Sequence, residues 1–120
     1  MDYYIGEYKK DAAENGHRGW LVGEFMENFP FKTDLVEIKY WEYDVGPTNH
    51  DTKISGIFEC TFILEGEISG TVDGKEVRLS EGAYVVIPPG IMNGFPQIVY
   101  KKVRGLTIKA PSDPSAKKVV

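Results

Sequence analysis

The residue of this sequence best placed to do chemistry is a single carboxylate, Glu59, inside a strongly apolar run. Side chains alternate between the two faces of a strand, so a strand over 57–64 puts Glu59 on one face with Ile57, Thr61 and Ile63. A buried carboxylate that lacks a cationic partner tends to take up a proton. If this face is the buried one, Glu59 needs either a partner cation or a proton.

The opposite face of the same strand is apolar and carries Phe58, Cys60, Phe62 and Leu64. We expect this face to pack against a second sheet, the N-terminal segment or a partner subunit. Cys60 is interpreted as a small buried hydrophobe, because no base neighbours it in the sequence.

The histidines and the cysteine are further candidates for chemistry. One cysteine and two histidines are too few for a structural zinc site with four sulfur or nitrogen ligands. His17 lies in a glycine-rich stretch and His50 in the loop 46–51, so both are interpreted as ordinary loop residues. The alternative for His50 is a metal ligand or an acid that contacts a ligand.

The elements that must position these residues are short strands. Runs rich in Val, Ile, Phe, Tyr and Thr are separated by glycine and proline, and Asp73-Gly74 predicts a two-residue hairpin turn. Further turns are expected at 65–67 and 80–82. Strands at this spacing are typical of an antiparallel sandwich or barrel, so the predicted fold class is all-β. The predicted strands cover residues 20–26, 35–45, 57–64, 67–72, 76–79, 83–87 and 98–108.

The length and net charge of the chain limit the number of domains and the classes of binding partner. A chain of 120 residues suits one domain with one core. With 14 Lys and Arg against 18 Asp and Glu, the net charge of −4 gives no general attraction to nucleic acid or to an anionic membrane. No apolar run is long enough to span a bilayer and no signal segment opens the sequence, so we expect a cytoplasmic protein. Residues 1–19 are expected to pack on the barrel, 20–110 to form it, and 111–120 to be a frayed, flexible tail.

Two spaced motifs carry a resemblance to a known family. The first is Glu59, six residues and then Gly66; the second is Gly82, five residues, Pro88 and then Gly90. A hairpin lies between the two motifs. In this pattern the sequence resembles the cupin superfamily of small β-barrels, closely from Glu59 onward and loosely over 20–110. The resemblance implies an antiparallel jelly-roll barrel (a double-stranded β-helix), a homodimer, and a Glu59 side chain that points into the barrel.

The sequence departs from the metal-binding members of that family. Those members add three histidines to the glutamate, and all three are absent here. In a first register, with three residues before Glu59, Lys53 and Ser55 stand at the first two histidine positions. In a second register, with four residues before Glu59, Thr52 and Ile54 stand there. Asn93 stands at the third histidine position. One carboxylate and one amide are a poor ligand set for a transition metal, so we predict no bound metal and no cofactor.

In the first of these registers the Lys53 ammonium points towards the space that a metal would fill. Opposite charges about 4 Å apart attract by about 4 kcal/mol at an effective dielectric constant of about 20, which desolvation partly or wholly offsets. Lys53, Glu59 and Asn93 are therefore predicted to form a polar cluster in place of the metal. Tyr40 is a further candidate for ligand binding, with Lys39 as the alternative because the strand 35–45 has mixed faces.

Three classes of function agree with these residues. The first is a metal-independent barrel that binds a small polar molecule, a sugar or an organic acid, through Lys53, Glu59, Asn93 and Tyr40. The second is a metal-free enzyme of the isomerase or epimerase type, acting on a sugar or small carbonyl substrate, with Lys53 and Glu59 as an acid–base pair. The third is a structural or regulatory dimer without a ligand, in which the ion pair only fills the barrel. Neither a nucleic acid nor a membrane is expected as a partner.

Overall fold

The computed structural model describes residues 3–113, 115 and 117–119, the last three by their backbone alone. Within these residues the chain forms one short helix and nine strands. In chain order the elements are α1 (Tyr8–Glu14), β1 (Trp20–Val22), β2 (Glu37–Tyr43), β3 (Gly46–Pro47), β4 (Lys53–Ser55), β5 (Phe58–Val72), β6 (Lys75–Ser80), β7 (Tyr84–Ile87), β8 (Asn93–Ala110) and β9 (Lys117–Val119).

The two long strands β5 and β8 form the centre of the sheet. They pair antiparallel from Phe58 opposite Ala110 to Val72 opposite Asn93, with several register shifts. On its other edge β5 pairs with β7 and then β6, while β8 pairs with β2, β3 and β4. All of these pairings are antiparallel, so the predicted all-β architecture is confirmed. No helix among the described residues is long and apolar enough to cross a membrane.

The turns of the β5–β6 region agree with the sequence at one place and differ at another. Asp73 and Gly74 both have positive φ, 53° and 76°, and join β5 to β6 in the predicted two-residue hairpin. The turn predicted at 65–67 is wrong, because β5 continues through these residues. Gly66 has φ 94°, and a Cβ atom there would lie 2.2 Å from the carbonyl oxygen of Lys102. Gly66 therefore marks a close approach of two strands instead of a chain reversal.

Replacing Gly66 by alanine is expected to lower the free energy of unfolding by about 2–3 kcal/mol, because both the positive φ and the backbone contact oppose a Cβ atom. Gly74→Ala is the matched control: its φ is 76° but the space around it is open. The free energy of unfolding of that variant should fall by only about 1 kcal/mol, because only the backbone conformation opposes the Cβ atom. Urea unfolding of both variants gives the comparison, and equal losses would contradict the close-approach explanation.

The inward-facing residues change from polar to apolar along β5. Glu59, Thr61 and Ile63 are buried and lie opposite Lys109, Thr107 and Gly105 of β8, respectively. The apolar end of the barrel holds the hydrophobic core of Trp41, Ile63, Ile68, Val99 and Val103. The polar end of the barrel is where Glu59 lies.

The segments at the two ends of the chain pack on the barrel where the structure describes them. The ring of Tyr8 in α1 lies 5.0 Å from the ring of Tyr40 in β2. Ser112 is buried, donates to Glu37 Oε2 at 3.0 Å and accepts from the Glu24 N–H at 2.9 Å. The tail predicted at 111–120 includes residues 114, 116 and 120, which lie outside the described residues. The backbone of β9 pairs with β4.

The outer face of β5 and β7 keeps apolar side chains in contact with solvent. Phe62 stacks on Tyr84 with the ring centroids 5.4 Å apart. Three residues of this face are exposed to solvent, by 41% for Phe58, 61% for Tyr84 and 47% for Val86. The homodimer expected from the sequence stays a prediction, and this row of side chains is the apolar surface that such a dimer would have available.

Candidate functional site

Two lysines converge on one buried carboxylate at the polar end of the barrel. Lys53 Nζ lies 2.5 Å from Glu59 Oε1, and Lys109 Nζ lies 3.2 Å from the same oxygen. The Glu59 side chain is only 4% exposed, and those of Lys53 and Lys109 are 18% and 16% exposed. The predicted Lys53–Glu59 contact is present, and Lys109 makes it a three-residue cluster, named here the lysine–glutamate cluster.

The strand ladder explains why these three side chains meet. Glu59 and Lys109 lie directly opposite each other in the β5–β8 pairing, so their side chains share one face. Lys53 opens β4, a strand of three residues that pairs with β8 through Asn93 and brings the lysine to the same end of the barrel.

The charges of the cluster do not cancel. Two ammonium groups against one carboxylate leave one positive charge in excess. Burial lowers the pKa of Lys53, and the nearby Lys109 charge lowers it further, while the hydrogen bond to Glu59 acts in the opposite direction. For Glu59, burial alone would raise the pKa, but the hydrogen bond and charge of Lys53, together with Lys109, outweigh it and lower the pKa. Glu59 is therefore ionised at neutral pH, and Lys53 gives up its proton more readily than an ordinary lysine.

A cavity of about 240 Å³ opens beside the cluster. Its cationic wall is formed by Lys39, Lys53 and Lys109. Glu59 lies behind the two ammonium groups that it binds. The aromatic side chains that line the cavity are Trp20, Trp41, Tyr43 and Phe95.

The aromatic wall also contacts the lysines directly. The ammonium groups of Lys39 and Lys109 lie 5.3 and 5.7 Å from the centre of the Trp20 ring. A cation over an aromatic face is stabilised in its charged form. On the opposite wall, Trp41 Nε1 donates to Thr107 Oγ1 at 2.9 Å, and Thr107 also hydrogen-bonds Thr61 at 3.1 Å. These contacts fix the cavity walls before any ligand is present.

The structure does not bring Asn93 and Tyr40 to the cluster. Asn93 is buried and lies opposite Lys53 in the ladder, but its amide donates to the Ile91 carbonyl oxygen at 3.1 Å. Tyr40 lies on the other face of β2, and its hydroxyl accepts a 3.5 Å hydrogen bond from Arg104. The cavity is lined instead by Lys39, Trp41 and Tyr43 of that strand.

Sequence reasoning missed Lys109, although a signal for it exists. Residues 103, 105, 107 and 109 share one face of a strand, and Val103 and Gly105 are both buried. The nearby basic residues Lys101, Lys102 and Arg104 do not join the cluster and form ion pairs with Glu67, Asp44 and Glu65, respectively.

His50 lies at the mouth of the cavity. It is exposed, as predicted for a loop residue, and its ring contacts the Tyr43 hydroxyl at 3.2 Å and Thr48 Oγ1 at 3.2 Å. These contacts hold the imidazole at the rim, where it can meet an entering ligand.

The residues of this site do not fit a transition metal. A metal needs neutral imidazoles or carboxylates with free lone pairs, whereas Glu59 Oε1 accepts from two ammonium groups. Within residues 3–113, 115 and 117–119, no group of three His, Cys, Asp or Glu side chains is placed to hold a metal ion. The cationic wall would repel a divalent ion.

We therefore expect elemental analysis of the purified, untagged protein to find well under one transition-metal ion per chain. Dialysis against a chelator should leave the melting temperature unchanged, since no metal contributes to folding. About one bound iron, manganese, nickel or zinc ion per chain that is lost on Glu59→Ala would contradict this expectation.

Comparison with known proteins agrees with this architecture. A family model described as a cupin domain matches residues 39–95, which include both β5 and the Gly82–Gly90 motif. No curated protein matches the chain significantly.

Several solved structures are similar to this chain in fold. An RmlC-like cupin from Shewanella frigidimarina superposes with a TM-score of 0.61 at 17% identity, over 68% of this chain and 71% of that one. The Streptomyces nucleoside dehydratase Pac13 superposes with a TM-score of 0.63 at 8% identity, over 77% of this chain and 73% of that one. The polyketide cyclase RemF from Streptomyces resistomycificus superposes with a TM-score of 0.62 at 21% identity, over 78% of this chain and 66% of that one. The two spaced motifs, the antiparallel barrel and these matches together support the assignment of this chain to the cupin superfamily.

Proposed function

We propose that this protein binds a small organic acid in the cavity beside the lysine–glutamate cluster, without a metal ion. The observation that carries the proposal is the sharing of one carboxylate oxygen by Lys53 and Lys109. The excess positive charge lies in a largely buried site, where it is poorly hydrated and favours an anionic partner.

A carboxylate ligand suits the donors of the site. Each ammonium has three N–H donors, and Glu59 Oε1 uses one from each lysine. The remaining donors of Lys53 and Lys109 are available to a ligand that enters the cavity. A hydrogen bond between charged groups contributes about 1.5–3 kcal/mol, so two of them supply about 3–6 of the roughly 8 kcal/mol that a micromolar affinity requires.

Cavity size and wall chemistry narrow the ligand further. About 240 Å³ holds a molecule of a few carbon atoms or one small ring. Trp41, Tyr43 and Phe95 provide apolar contacts for its body. A neutral sugar would find hydrogen-bond donors here but would leave the excess positive charge uncompensated, so an organic acid is the better match of the two expected ligand classes.

A second candidate is a metal-free enzyme of the isomerase or epimerase type. The observation in its favour is the Lys53–Glu59 contact, an acid and a base that share a proton at the edge of a cavity. Pac13, a nucleoside dehydratase, and RemF, a polyketide cyclase, are similar in fold only. The homodimer and the cytoplasmic location expected from the sequence stay predictions.

Thermal unfolding with lactate and glycolate as probes tests the binding proposal. At about 100 times the dissociation constant a ligand adds about 2.7 kcal/mol, which raises the melting temperature by about 10 °C in a domain of this size. Glucose at equal concentration should give no such rise. Lys53→Met should abolish the effect of both acids, because one of the two ammonium groups is lost.

Lys101→Met is the matched control, because Lys101 is 77% exposed and its ammonium lies 4.0 Å from Glu67. It should respond to the acids like the wild type. A protein that responds to neither acid, and whose Lys53→Met variant behaves like the wild type in every respect, would instead be a structural dimer without a ligand.

A further inference from the structure

We propose that Lys53 forms a covalent imine with the carbonyl group of a bound aldehyde acid or keto acid. This inference rests on the proposed function and deepens it, because it names a substrate class: small carboxylic acids that also carry a reactive carbonyl. Its basis is the placement of Lys53 in the cavity wall, in contact with a carboxylate that can take its proton and close to a second ammonium.

Imine formation needs an uncharged amine, and the cluster supplies one. Lys53 Nζ already donates to Glu59 Oε1 at 2.5 Å, so the proton has a short path to the carboxylate. Lys109 Nζ contacts the same oxygen, and repulsion between the two ammonium groups favours loss of one proton. Burial acts in the same direction and lowers the pKa of Lys53.

The other two lysines of the cavity both contact an aromatic ring. The ammonium groups of Lys39 and Lys109 both lie within 6 Å of the Trp20 ring centre, at 5.3 and 5.7 Å, an arrangement that stabilises a cation. Lys109 is thus suited to hold the carboxylate of the substrate, and Lys53 to attack its carbonyl carbon. The other titratable groups at the cavity are Asp51 and His50, which are exposed, and Tyr43, whose pKa is raised by burial.

The proposed step balances without any further reactant. Glu59 takes a proton from the Lys53 ammonium, and the free amine adds to the carbonyl carbon. Glu59 returns that proton to the carbonyl oxygen, giving a carbinolamine that is protonated on nitrogen. The carbinolamine hydroxyl then leaves as water, with Glu59 relaying the proton from nitrogen to oxygen. The product is an iminium ion: one ammonium and one carbonyl compound have become one iminium ion and one water molecule.

The electrostatics of the site favour this product. The iminium nitrogen keeps the positive charge that Lys53 carried, so Glu59 retains its cationic partner. The carboxylate of the substrate remains beside Lys109, where it offsets the excess positive charge of the cluster. Neither buried charge is left without a partner at the end of the step.

Reductive trapping tests the inference. The protein is treated with glyoxylate and cyanoborohydride at neutral pH, and the modified lysines are located by peptide mass mapping. We expect Lys53 to be modified several-fold faster than the exposed Lys101, because its lowered pKa leaves more of its amine uncharged at neutral pH. Surface lysines serve as internal references in the same sample. Uniform modification, or preferential modification of Lys109, would overturn the inference.

Variants and a competitor separate this inference from acid binding. Lys53→Arg keeps the charge but cannot form an imine, so it should bind glycolate and show no preferential adduct in the cavity. Glycolate, the alcohol analogue of glyoxylate, should protect Lys53 in the wild type. Protection of the cavity by glycolate without preferential trapping of Lys53 overturns the imine alone. Preferential trapping without protection by glycolate, and without any effect of lactate on melting, overturns the acid-binding proposal alone.

Discussion

Replacing Glu59 by glutamine is expected to lower the free energy of unfolding at neutral pH by about 3–5 kcal/mol, among the largest losses of any single substitution in this chain. The side-chain shape is nearly unchanged, so packing is not the cause. The variant keeps Lys53 and Lys109 within the barrel but removes the only carboxylate that both contact among the described residues. Two buried ammonium groups without a counter-ion are strongly unfavourable.

The pH dependence of this variant provides an internal check. Without Glu59, burial and the Lys109 charge lower the pKa of Lys53 unopposed, so its folded-state pKa lies below its unfolded value of about 10.4. Between these pKa values the unfolded chain binds more protons, so the stability of the variant rises with pH and part of the loss is recovered above neutrality. The wild type behaves differently at low pH. Glu59 has a lowered pKa, so its stabilising contribution is present above about pH 4.3 and is lost as pH falls through the folded-state value.

Glu65→Gln is the matched control for Glu59→Gln. Glu65 also pairs with a cation, as its Oε2 lies 2.7 Å from Arg104 Nε, but its side chain is 58% exposed. Loss of this ion pair should lower the free energy of unfolding by less than about 1 kcal/mol, as is usual for exposed pairs. Urea unfolding of the two variants at pH 7 measures the difference. Similar small losses in both would show that Glu59 has solvent access that the structure does not give it.

Replacing Lys109 by methionine is expected to weaken the binding of lactate about 10- to 100-fold, because one charge-assisted hydrogen bond to the ligand is lost. The stability of the free protein should change by less than about 1 kcal/mol, since the remaining Lys53–Glu59 pair is neutral. Loss of binding without loss of stability separates a ligand-binding lysine from a merely structural one.

Titration calorimetry with lactate measures the first quantity and urea unfolding the second. Lys102→Met is the control, because Lys102 is 67% exposed and lies 3.9 Å from Asp44 on the outer surface. It should change neither quantity. A Lys109→Met protein that binds lactate as well as the wild type would show that Lys109 only fills the barrel.

The sequence is sufficient to predict the fold and the Lys53–Glu59 pair for identifiable reasons. Alternation along the strand groups Glu59 with Ile57, Thr61 and Ile63, and the resemblance to cupins implies that this face points inward. Turn residues such as Asp73-Gly74 set the hairpin locally. The position of Lys53 follows from the spacing of the first motif, in the register with three intervening residues. These features depend on neighbours in the sequence, and such features are readable without coordinates.

The features that sequence reasoning missed depend on distant parts of the chain. Lys109 joins the cluster because β8 pairs with β5 in one particular register, and alternation gives a face but no partner. Tyr40 was a reasonable candidate because both faces of β2 are partly apolar. Tyr8 of α1 covers the outer face of β2, so side chains are buried on both faces. The strand therefore lacks the polar–apolar alternation that would identify its inward face. Gly66 predicted a turn because a single glycine has the same signature at a turn and at a close strand contact.

A crystal structure of the wild-type protein grown with lactate tests the central claim most directly. We expect Lys53 and Lys109 both to contact Glu59, and the lactate carboxylate to lie within hydrogen-bond distance of both ammonium groups. This expectation would be contradicted by a Lys53 side chain that extends into bulk solvent. It would also be contradicted by a cavity without lactate in crystals grown at a lactate concentration that raises the melting temperature.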